Sequence, residues 1–215
     1  MSENVQKKLN YVRKWADNVS AAPVVARMKR FIGIQLAVSR FRKVKEQEHD
    51  FTNFFSDAHY ALIILPRNYD AASVAGKYLP LLREKLAKME LTFIDPRGAL
   101  RAFTGDFFYE TLSYNEIELS QFGIPKEELL RRITKNNKKK YDIAIDLNLE
   151  FDIASAYICR ASYAPVRVGF AHRHADAFYN VLLRFSMPKE KLDAKQLDRF
   201  RATRYEQLTQ CLNMF

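Results

Sequence analysis

Three clusters in the chain carry side chains able to do chemistry. The first is Pro66-Arg67-Asn68-Tyr69-Asp70, directly after the apolar run Tyr60 to Leu65 (YALIIL). A carboxylate there can act as a general base toward a hydroxyl, but just ahead of a helix it can equally be an N-cap. Arg67 and Asn68 add a guanidinium and an amide suited to an anionic or hydroxylated ligand. The second is Ala171-His172-Arg173-His174-Ala175-Asp176. On a strand, His172 and His174 would share a face, and Asp176 could complete a metal set. The remaining histidines, His49 and His59, lack ligand spacing with this pair. The expectation is therefore no metal, and an exposed His/Arg loop or an anion contact made by His172, Arg173 and His174. The third is the basic run Lys135 to Lys140, a solvated turn or a phosphate contact.

Nucleotide motifs are absent. No glycine lies between Tyr60 and Ala75, so the first loop is not a dinucleotide fingerprint, and there is no Walker A pattern. No cofactor is expected.

The elements that must position these clusters follow from periodicity. Tyr60–Leu65 and Leu91–Ile94 read as buried strands around a single helix from about Ala71 to Met89, with Val74, Tyr78, Leu79, Leu82 and Leu86 on its inner face. Tyr141 to Asn180 reads as a second β-α-β unit, with strands at Ile143–Leu147 and Val166–Phe170. Thr111–Leu119 alternates partly like a strand. Pro125 and Glu127/Glu128 open a helix, and the final stretch from Asp193 forms another, with Leu197, Phe200, Tyr205, Leu208 and Leu212 on one side. In open α/β sheets ligands bind beyond the C-terminal ends of the strands, so the loop at 66–70 is the first place to look. Cys159 and Cys211 read as reduced core thiols rather than a disulfide.

Charge divides the 215-residue chain unevenly. Of a net +10, residues 1–45 hold eleven Lys/Arg against two acidic residues, while the rest holds 24 against 23. Residues 3–18 and about Pro23–Lys45 read as helices of a basic arm, with Gly33 weakening the second. Val24, Val25, Met28, Phe31, Ile32, Ile34, Leu36, Val38, Phe41 and Val44 form a broad apolar stripe, with Arg27, Lys29, Arg30, Arg40, Arg42 and Lys43 between them. Such a helix either lies on a membrane or partner, or packs on the body with its charges solvated. The division expected is a basic helical arm over 1–58 and a body over 59–215. The polar N-terminus is not a signal peptide, and no run of about twenty apolar residues occurs. The expected location is the cytoplasm, with a peripheral seat on the inner membrane as an option.

In order and spacing, several stretches resemble glycosyltransferase family nine, the heptosyltransferase type. These are YALIIL with its loop and helix, YDIAIDLN at 141–148, RVGF at 167–170, FYN at 178–180 and DRFRATRYEQLTQCL near the C-terminus. The resemblance covers about 60–212. It implies one Rossmann-like parallel-sheet α/β domain, the acceptor-side half of a glycosyltransferase B fold. The family's enzymes move a sugar, typically from ADP-heptose, onto the lipopolysaccharide inner core. The family's Gly-Asp pair is Tyr69-Asp70 here, which makes Asp70 the implied base with a departure beside it.

The resemblance implies no donor half within this sequence, and positioning of donor and acceptor together supplies much of such a reaction's rate. The expected function is a non-catalytic scaffold docked by its arm to a protein or an anionic membrane. The alternative is the acceptor-binding subunit of a split glycosyltransferase completed by a separate donor-domain protein. Nucleic acid is the less favoured partner: Tyr11, Trp15, Phe31 and Phe41 read as helix face rather than stacking platform.

Overall fold

The computed structural model describes residues 23–42, 57–96, 110–135, 140–186 and 192–212. The helix expected over 3–18, Lys43, His49 and most of the basic loop at 135–140 lie outside them.

Among the described residues six parallel strands form one sheet: β1 (Tyr60–Ile64), β2 (Glu90–Ile94), β3 (Glu110–Leu112), β4 (Ile143–Asp146), β5 (Val166–Phe170) and β6 (Val181–Leu183), in the order β3-β2-β1-β4-β5-β6. The apolar strands are buried on both faces, as a parallel sheet covered by helices requires. Alternation sorts them. Ala61, Ile63, Leu91, Phe93, Ile143 and Ile145 face one layer; Leu62, Ile64, Ile94 and Ala144 face the other.

The first layer is α2 (Tyr69–Gly76), α3 (Leu79–Lys85) and α6 (Ala194–Cys211). Tyr205 of α6 is buried and donates its hydroxyl to the Leu147 carbonyl at 2.9 Å, fixing the helix over the end of β4. The single helix expected over 71–89 is two. Pro80 has no N–H to continue the ladder, so the chain turns at Lys77-Tyr78 and restarts with Pro80 in the first turn of α3. Likewise, of the alternating stretch Thr111–Leu119 only Thr111 and Leu112 lie in a strand, and Leu119 makes an isolated antiparallel bridge to Pro125. Glu116–Glu118 is a 3-10 turn closed by a capping box between Asn115 and Glu118.

The second layer is α1 (Pro23–Arg42), α4 (Glu127–Ile133) and α5 (Ile153–Ala161). Helix α1 belongs to the core of the body: Ala37, Val38 and Phe41 are buried, and the Phe41 ring meets Tyr157 at 4.8 Å and Phe178 at 5.8 Å. Gly33, which weakens the helix in isolation, is required here. A Cβ would overlap the Phe122 carbonyl, so glycine permits the close approach. The apolar residues of α1 do not form one stripe. Val24, Met28, Phe31 and Leu36 remain exposed on the side away from the core.

Candidate functional site

Between β1 and β4 the strand order reverses, so the loops leaving these neighbours diverge and open a crevice at their C-terminal ends. A cavity of about 600 Å³ occupies it. Pro66, Arg67 and Asn68 after β1, and Asn148 to Asp152 after β4, form its inner wall. Ala26, Lys29 and Arg30 of α1, the loop Gln121–Gly123, and Leu197, Phe200 and Arg201 of α6 enclose the rest.

The inner wall is held by a chain of hydrogen bonds. Asn148 accepts the Arg67 N–H at 3.3 Å and donates its amide to Asp146 at 2.7 Å and to Ser155 at 3.1 Å. Asp152 caps α5 by accepting the Ser155 N–H at 2.9 Å. It also lies 3.5 Å from Arg67, whose other carboxylate partner is Glu116. Burial opposes the Arg67 charge, but Asp152 and Glu116 outweigh it and raise its pKa. Arg30 reaches across from α1 and donates to the Phe151 carbonyl. Arg201 is paired with Asp198 at 3.0 Å. Four cationic side chains therefore border the cavity beside three carboxylates, Glu116, Glu150 and Asp152. The carboxamides of Asn68 and Gln121 add donors and acceptors for hydroxyl groups, whereas both amide hydrogens of Asn148 are taken by Asp146 and Ser155.

Below this wall lies Asp146, only 2% exposed. It accepts the Tyr179 hydroxyl at 2.6 Å and the Asn148 N–H at 2.9 Å. Burial dominates and pushes its carboxyl up to about 6, although these bonds favour the charged form. Tyr179 reaches it because Gly169 leaves room: a Cβ there would stand 2.8 Å from the tyrosine ring. Arg167, also buried, donates to the Phe178 carbonyl at 3.0 Å and to the Ala164 carbonyl at 2.6 Å. Asn180 accepts the Arg167 N–H at 2.8 Å and donates to the Pro165 carbonyl at 2.6 Å. The stretches YDIAIDLN, RVGF and FYN thus meet in one clip, buried at Asp146, Arg167 and Tyr179, that joins β4, β5 and the turn before β6.

Of the residues expected at the site, the cavity collects Arg67 and Asn68 from the loop and Lys29 and Arg30 from the basic helix. Asp70 is not the N-cap of α2. Asn68 is, accepting the Ala71 N–H at 3.1 Å, because its extended backbone places the side chain over the first turn. Asp70 sits inside that turn, solvent-exposed and outside the cavity wall. His172, Arg173 and His174 also stand outside it. His172 packs edge-on against Phe151 and Phe185, and burial lowers its pKa. His174 takes a left-handed φ of 73° to start the 3-10 turn Ala175–Ala177, which ends any strand-like sharing of a face with His172. No group of three or more His, Cys, Asp or Glu residues that could hold a metal occurs among the described residues. Arg27, Arg40 and Arg42 lie on α1 away from the cavity, with Arg40 over the Tyr157 ring at 5.7 Å.

Sequence reading passed over Asn148, Asp152 and Arg201. Asp152 had a usable signal, an Asp just before the apolar run of α5. Arg201 had none, because only the fold brings the C-terminal helix to the crevice.

No protein-family profile matches the sequence, and no curated protein matches it. A solved structure does: the glycosyl transferase family 9 from Veillonella parvula DSM 2008, at 14% identity and a TM-score of 0.50. The match covers 70% of this chain and 41% of that one, so this chain spans well under half of the protein it resembles. The Rossmann-like α/β domain expected from the sequence is therefore the observed fold, and it corresponds to part of a family-nine glycosyltransferase chain.

Proposed function

We propose that this chain acts as the acceptor-side half of a glycosyltransferase-type fold and holds an anionic, hydroxyl-rich ligand in the crevice between β1 and β4. One observation carries this: the cavity at the strand reversal is bordered by four cations, Lys29, Arg30, Arg67 and Arg201, against three carboxylates, together with the carboxamides of Asn68 and Gln121. Guanidinium groups bind phosphate or carboxylate through paired hydrogen bonds, and carboxamides bind hydroxyls from either side. A phosphorylated oligosaccharide of the lipopolysaccharide inner core combines both features.

The chemistry is binding and orientation. Two of the three carboxylates on the wall, Glu116 and Asp152, engage Arg67, and Asp152 also caps α5. Such groups are better suited to holding a cation in place than to taking a proton from a hydroxyl. Donor sugar and transfer chemistry would come from a second body. A scaffold docked only by its basic helix would leave this cavity without a task, and is the weaker reading of this geometry.

Calorimetric titration with a phosphorylated inner-core oligosaccharide and its dephosphorylated counterpart tests the proposal. The phosphorylated form should bind, and Arg67→Ala should weaken it about tenfold, the loss of roughly one charge-assisted bond. Equal affinity for the two sugars, or no binding of either, would overturn it.

A further inference from the structure

Helix α1 has two apolar faces, and only one is used by the core. Gly33, Ala37, Val38 and Phe41 turn inward. Val24, Met28, Phe31, Ile32 and Leu36 follow the spacing i, i+4, i+7, i+8, i+12 along the outer side and are 39–64% exposed. At 100° per residue, Gln35 and Ser39 fall within this stripe toward its C-terminal half, Arg27 on one flank and Lys29 and Arg40 on the other. Arg42 closes its C-terminal end. The helix has five basic residues and no Asp or Glu.

We propose that this outer face of α1 lies on an anionic membrane surface, its apolar stripe at the boundary of the acyl chains and its flanking cations on lipid phosphates. Charge selects the occupant. A second copy would bring one all-basic helix against another, whereas an anionic bilayer complements the flanks and accepts the stripe at once. At 20 residues the helix is about 30 Å long, and it lies along the surface rather than through it: no helix among the described residues is long and apolar enough to cross a membrane. Lys29 and Arg30 of the same helix border the crevice, so a ligand anchored in that membrane would meet the cavity beside its own lipid. The inference rests on the surface of α1 alone and stands whether or not the cavity binds sugar.

Sedimentation of the full chain with vesicles tests it. Vesicles of phosphatidylglycerol and phosphatidylcholine in equal parts should bring the protein down, and phosphatidylcholine alone should not. Raising the salt should release it. Met28→Gln with Phe31→Gln changes two exposed side chains, so the fold should persist with an unchanged thermal midpoint while vesicle partitioning falls at least tenfold. Arg27→Gln with Arg42→Gln should lower partitioning on anionic vesicles only. Three results would overturn the proposal: equal sedimentation with the neutral vesicles, indifference to the Met28/Phe31 pair, or a dimer in light scattering that this pair converts to monomer. The oligosaccharide titration reads the cavity and sedimentation reads α1, so the two proposals fail separately.

Discussion

The two sides of the β1–β4 crevice use polar residues in opposite ways. On the β4–β5–β6 side, Asp146, Arg167 and Tyr179 are buried and bonded to one another's neighbourhood: Tyr179 to Asp146, Arg167 to the Phe178 carbonyl beside Tyr179. On the β1 side, Arg67 and Asn68 are partly or fully exposed and border the cavity. A buried charge must be satisfied internally, which fixes its residue type and spacing closely. A cavity residue need only present the right group to a ligand. Of the stretches that made the chain recognisable, RVGF and FYN belong to the rigid side, whereas the loop after YALIIL, Asn148 at the end of YDIAIDLN and Arg201 in the C-terminal helix reach the cavity.

The largest effect should follow from breaking the rigid side. Gly169→Ala places a Cβ 2.8 Å from the buried Tyr179 ring, which must move and give up its bond to Asp146. Overpacking together with a lost hydrogen bond to a buried carboxyl should cost about 3 kcal/mol in urea unfolding. An Ala variant as stable as the parent would show that Tyr179 is not clamped and that the contrast between the two sides is too sharp.

Asp146 supplies an effect of similar size with a pH signature. Its folded carboxyl titrates at about 6 against an ordinary 3.8, so between those values the fold holds a proton that the unfolded chain has released. Its contribution to stability is full below about pH 4 and is lost as pH rises through about 6, by about 3 kcal/mol in all. Asp146→Asn removes the titration and keeps the shape. The stability of the variant minus that of the parent should climb over this window and level off above it. A flat difference would mean that the carboxyl stays charged throughout, stabilised by Tyr179 and Asn148 beyond what burial takes away.

The parallel sheet was legible because buried strands such as Ile143–Asp146 leave an unbroken apolar run, and because the helices between them carry a 3.6-residue pattern. The break at Pro80 was written in the sequence and was outweighed by the apolar pattern that continues through Tyr78, Leu79 and Leu82. The site was legible in part. The loop at Arg67-Asn68 follows from the rule about strand ends, whereas Lys29, Arg30 and Arg201 meet it only through tertiary packing of the first and last described helices. The apolar residues of α1 suggest a single face in sequence, which does not reveal that Gly33 presses against Phe122 and that Val24, Met28, Phe31 and Leu36 are left to solvent.

The smallest effects decide which side of the first loop faces the ligand. Asn68 both caps α2 and borders the cavity, so Asn68→Ala should cost about 1 kcal/mol of stability and also weaken oligosaccharide binding severalfold. Asp70, two residues on, lies exposed in the first turn, where the helix dipole favours its charge. Asp70→Asn should therefore cost about 0.5 kcal/mol or less and leave affinity within about twofold. The pair is measured side by side, by urea unfolding and by titration. If Asp70→Asn costs more affinity than Asn68→Ala, the ligand reaches over the outer edge of the loop. Asp70 would then regain its place as candidate base, and the binding side of the molecule would hold a catalytic group after all.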